Sequence, residues 1–134
     1  MPFLLCLNTA MRQPVATPHA PQAIGPYSQA IKANGLVFVS GQTPMGPDGV
    51  LVQGGVAVQT ERALKNIAAI LEAAGSSMEK VVRCGVFLNN MADFAEMNAE
   101  YGKHFTQPYP ARTTIEAARL PKDVLVEIDV VALQ

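Results

Sequence analysis

Between residues 110 and 130 the sequence carries two extended runs separated by a segment that can join neither, and this stretch constrains the fold more than any other. The first run is Pro110-Ala111-Arg112-Thr113-Thr114-Ile115-Glu116, and the second is Val124-Leu125-Val126-Glu127-Ile128-Asp129-Val130. Leu120-Pro121-Lys122-Asp123 divides them, because proline fixes its own φ and brings no N–H to a ladder. Alternation along a strand puts Arg112, Thr114 and Glu116 on one face, and sets Glu127 and Asp129 opposite Val126, Ile128 and Val130. If the two strands are neighbours, a guanidinium and a carboxylate approach each other. The competing reading is a solvated or weakly paired surface Arg and Glu.

The rest of the chain alternates turn signals with periodic segments. A first strand is expected near Met11 to Thr17, and a second from Tyr27 to Ala33. Asn34-Gly35 then marks a hairpin that returns through Leu36-Val37-Phe38-Val39-Ser40. Gly46-Pro47-Asp48-Gly49 gives another turn before a short apolar piece at residues 50–52. A helix is expected over residues 56–74, with Leu64, Ile67, Leu71 and Ala74 in its apolar stripe and Gly75 as its stop. Ser76 with Glu79 reads as a capping box, then a strand runs over 81–89. Asp93 with Glu96 reads as a second box, opening a helix whose apolar face is Phe94, Met97, Tyr101 and Phe105.

This order predicts a single α+β domain, a mixed sheet with two helices packed on one face. At 134 residues, with 49% hydrophobic and 16% charged residues, there is room for one core and not for a second domain. Leu125, Val131, Leu133 and Phe38 are expected on the uncovered face, which predicts oligomerisation. Residues 1–10 read as an N-terminal extension without a targeting signal, and residues 11–134 as the domain.

The search for chemistry excludes more than it finds. A net charge of -1 without a basic run argues against nucleic acid and anionic membranes as partners. His19 and His104 are isolated, so no metal site is expected. The serines form no nucleophile elbow, and Cys6 and Cys84 make no paired motif. Cys84 reads as a buried, reduced thiol suited to the cytoplasm. No cofactor is expected.

Pro-Ala-Arg, then Ile115, Ala-Arg-Leu-Pro and Val126-Glu127-Ile128 resemble the C-terminal motif of the reactive intermediate deaminase (Rid, or YjgF) family. The resemblance implies a chorismate-mutase-like fold and a homotrimer with sites between subunits. It implies hydrolysis of 2-imino acids, such as 2-iminobutanoate and 2-iminopropanoate, to 2-oxo acids and ammonia. Carried over by residue, Arg112 binds the substrate carboxylate, Glu127 holds or polarises water, and Tyr27, Ser40 and Gly41 line the pocket. Asn98 matches a family position as well as it matches a helix-surface amide. Thr114 stands where relatives often have Cys, which argues against a thiol mechanism and leaves its backbone N–H as the donor. The alternative is a non-catalytic, carboxylate-binding or regulatory trimer of the same family.

Overall fold

The computed structural model describes residues 11–134, so the expected extension at residues 1–10 lies outside the described residues. Six strands form one sheet: β1 (Gln13–Val15), β2 (Ala30–Ala33), β3 (Leu36–Gln42), β4 (Val81–Leu88), β5 (Ala111–Glu116) and β6 (Val126–Leu133). Their spatial order is β1-β2-β3-β6-β4-β5, with β4 and β5 parallel and every other pair antiparallel. Helix α1 (Val56–Ala73) crosses from β3 to β4, and helix α2 (Phe94–Tyr101) crosses from β4 to β5. The α+β class, the element order and the two-helix cover match the expectation.

Local chemistry explains several boundaries. Asn34 and Gly35 both have positive φ, 55° and 80°, as the two central residues of a tight type I′ hairpin require. Gly75, at φ 80°, ends α1 in a Schellman motif, with the Ser76 N–H reaching the Leu71 carbonyl and the Gly75 N–H the Glu72 carbonyl. The segment expected to be rigid between the last two strands is a short 3₁₀ turn, Pro121–Asp123. Arg119 pairs with Asp123 at 2.8 Å beside it.

Neither expected capping box forms. Ser76 instead donates to the Leu133 carbonyl, tying the end of α1 to the end of β6. Asp93 makes no side-chain cap, and Asn90 caps the preceding turn by accepting from the Ala92 N–H at 2.9 Å. Ser76 is drawn to a distant partner, whereas at Asp93 a neighbouring turn capped by Asn90 takes over the helix start. The second strand is shorter than expected, leaving Tyr27 in the irregular segment ahead of β2.

The core lies between the helices and one sheet face. Val126, Ile128, Val130 and Ala132 of β6 are buried there with Leu64, Ile67, Ile70 and Leu71 of α1. Among the described residues no helix lies on the opposite face. Phe38, Ile115 and Leu133 are 45%, 45% and 49% exposed, large enough values to mark an apolar surface in need of cover. Leu125, expected on that face, packs instead against the core.

Candidate active site

The expected approach of Arg112 and Glu127 across neighbouring strands does not occur, because β4 lies between β5 and β6. Arg112 is in register with Cys84, and Cys84 with Val130, both buried on the helix side. Glu127 alternates with Val126 and Ile128, which are fully buried on that side, so its carboxylate projects from the opposite face. The two residues belong to different faces of one sheet.

Each anchors its own cavity. The larger, about 690 Å³, is lined by Tyr27, Ser40, Gly41, Lys122 and Glu127, among others. The ladder between β3 and β6 shifts register between Val39 and Gln42, a bulge that sets Ser40 and Gly41 against Glu127. A Cβ on Gly41 would stand 2.9 Å from Glu127 Oε2, so glycine there makes room for the carboxylate. Ser40 Oγ donates to the Ser28 carbonyl at 2.6 Å, which leaves its lone pairs for a ligand. The Tyr27 hydroxyl accepts from the Ile24 N–H at 3.4 Å and the ring is half exposed.

Two buried amides hold the walls of this cavity. Gln29 donates to the carbonyls of Thr17 and Pro21 and accepts from the Thr17 N–H at 2.7 Å, fixing the loop that leads to Tyr27. Asn66 of α1 donates to the carbonyls of Thr43 and Met45, the latter at 2.7 Å. Sequence reading missed both, since a single amide just ahead of a strand or within a helix carries no signal of a distant loop. Glu127 itself is half-buried. Burial pushes its carboxyl above the usual carboxylate range, and the neighbouring Asp129 charge adds to the effect.

The second cavity, about 440 Å³, is lined by Asn98, Tyr101, Gly102, Tyr109, Pro110 and Arg112. The Arg112 guanidinium lies 4.7 Å from the centroid of the Tyr101 ring and 5.6 Å from that of Phe94. No carboxylate of the described residues forms an ion pair with it. Beneath it Cys84 is a free, buried thiol, its pKa pushed up by burial. Asn98 is exposed on the cavity wall. Thr114 lines neither cavity, and its hydroxyl is buried without a partner. Phe94 and Tyr101, expected only as the apolar face of α2, thus reach Arg112 as well.

Both cavities fall within the size range of small-molecule sites, roughly 300–1,000 Å³. The fold and its cavities define a small α+β domain with concave surfaces for small molecules. A family model described as Endoribonuclease L-PSP matches residues 17–134. A RutC family protein of Pyrococcus horikoshii is 49% identical over 123 residues, covering 91% of this chain and 98% of its own. The crystal structure of yeast Mmf1 superimposes with a TM-score of 0.90 at 43% identity, covering 92% of this chain and 99% of that one. E. coli TdcF with bound serine gives a TM-score of 0.85 at 37% identity, covering 91% and 98%. The chain belongs to the Rid/YjgF family, the family of the L-PSP model.

Proposed function

We propose that this protein is a deaminase of small 2-imino acids, of the 2-iminobutanoate and 2-iminopropanoate type, acting as a homotrimer in the cytoplasm. The observation that carries the reading is the division of the site. Arg112 in one cavity and Glu127 in the other cannot meet through their own sheet, so a site containing both takes Arg112 from one copy and Glu127 from the next. The uncovered face with Phe38, Ile115 and Leu133 supplies an apolar surface for such an assembly. The buried, free Cys84 accords with a reducing compartment.

In the assembled site the guanidinium holds the substrate carboxylate through two parallel N–H bonds. Asn98 and the backbone at Thr114, on the edge strand β5, add donors on the same side. Tyr27, Ser40 and Gly41 shape the opposing wall, and Glu127 orients a water toward the imine carbon. As the water oxygen bonds to that carbon, Glu127 accepts one water proton and passes it to the imine nitrogen, giving a carbinolamine. Glu127 then takes the hydroxyl proton and delivers it to the amino nitrogen as the C–N bond breaks and the C=O forms, so a 2-oxo acid and ammonia leave and Glu127 is again ionised. Positioning is the main contribution, because the imine is already a reactive electrophile. TdcF is described with bound serine, a small molecule bearing the carboxylate this chemistry requires.

The test supplies an imine from a pyridoxal-phosphate-dependent dehydratase and measures 2-oxo acid and ammonia, with light scattering on the same sample. Accelerated release by a trimer at micromolar concentration is expected. A trimer that binds 2-oxo acids but never accelerates release is the alternative, a carboxylate-binding regulator. A stable monomer would remove the shared site.

A further inference from the structure

We propose that Tyr101 and Phe94 are positioning residues that hold the Arg112 guanidinium ready for a carboxylate; the assignment rests on the carboxylate-binding role given to Arg112 above. An arginine on a strand is ordinarily fixed by an acidic partner, which neutralises it and takes up its donors. Here the guanidinium is 4.7 Å from the centre of one aromatic ring and 5.6 Å from the other, without an ion pair among the described residues. Ring faces attract the cation through their quadrupoles and leave the N–H edges pointing outward. The two rings are seven residues apart on α2, two helical turns, so they stand on the same side of the helix.

The packing makes this support rigid. Tyr101 is 5% exposed and its ring is tilted on Phe105 with centroids 4.6 Å apart. Its hydroxyl lies near both Cys84 and Arg112 but meets hydrogen-bond geometry with neither, so the ring face is the contact with Arg112 that the geometry defines. Burial and the adjacent Cys84 thiol hold that phenol neutral, and Cys84 is itself neutral, so no anion beneath the guanidinium competes with a ligand.

Three variants separate the ring face from the hydroxyl and from general packing: Tyr101→Phe, Tyr101→Leu and Phe94→Leu. Phe94 is 37% exposed and tolerates truncation better than Tyr101, which protects the test if Tyr101→Leu misfolds. The readouts are calorimetric affinity for 2-oxobutanoate, affinity for the uncharged 2-oxobutanamide, and NMR of the Arg112 Nε–H. Tyr101→Phe is expected within about twofold of wild type, and the leucine variants to bind 2-oxobutanoate about 3- to 30-fold more weakly. Affinity for the amide should hardly change, and the Arg112 signal should lose its ring-current shift and its restricted motion. Unchanged 2-oxobutanoate binding and an unchanged Arg112 signal in folded Phe94→Leu and Tyr101→Leu would overturn the assignment, as would an Arg112 as mobile in wild type as Arg119. A restrained Arg112 in a wild-type trimer that binds no carboxylate would support the ring contact while sinking the deaminase reading.

Discussion

Replacing Arg112 by lysine is expected to cut 2-imino acid turnover by about thirty-fold to a thousand-fold, with fold and assembly unchanged. Lysine keeps the positive charge, so a residue that only steers anions would survive the change with most of its activity. What it loses is the planar pair of donors that fixes both carboxylate oxygens and, through them, the imine carbon. It also loses the flat cation that lies against Tyr101 and Phe94. Arg112 has no ion pair among the described residues, so the substitution strands no buried carboxylate and has little reason to destabilise the chain. Initial rates of 2-oxo acid formation, with circular dichroism and light scattering as controls, decide the matter. Near-wild-type turnover in a folded trimer would remove the two-pronged contact.

Glu127→Gln is expected to reduce turnover by about 100- to 10,000-fold and, at neutral pH, to raise thermal stability. The two effects share one cause. Burial raises the Glu127 pKa in the folded chain above its ordinary value of 4.5, so the folded state holds this proton more tightly than the unfolded state. Stability from the protonated carboxyl is therefore present at low pH and lost as pH rises through the raised value. At neutral pH the ionised group is a burden that glutamine removes. The same shift places the acid limb of the kcat/KM profile above the usual carboxylate range. A melting temperature below that of wild type, or an unshifted acid limb, would show that the Glu127 environment has been misjudged.

Those two residues also mark where reading the sequence stopped. Arg112 and Glu127 were legible as candidates because each interrupts a strand pattern inside a family-like motif. Their relation was not, since strand order depends on pairings far apart in sequence: β4 enters between β5 and β6, and adjacent runs become non-neighbours. Local signals with no competitor were reliable. Asn34-Gly35 makes its hairpin and Gly75 ends α1, because the left-handed conformations there are imposed within a few residues. Ser76 and Asp93 had the right cap spacing and failed, one hydroxyl being drawn to Leu133 and the other helix start being preceded by the Asn90 turn. Gln29 and Asn66 illustrate the remaining gap. Their amides support the Glu127 cavity through loops up to 23 residues away, a role with no periodicity to reveal it.

The division of the site between copies is the central claim, and mixing two inactive variants tests it most directly. Arg112→Lys and Glu127→Gln chains, each carrying a different tag, are co-expressed, and mixed trimers are isolated and verified by native mass spectrometry. If each site joins Arg112 of one copy to Glu127 of the next, every mixed trimer, two-to-one or one-to-two, restores one of its three sites, and turnover should rise to about a third of wild type. Verified mixed trimers that remain as inactive as either parent would contradict the shared site.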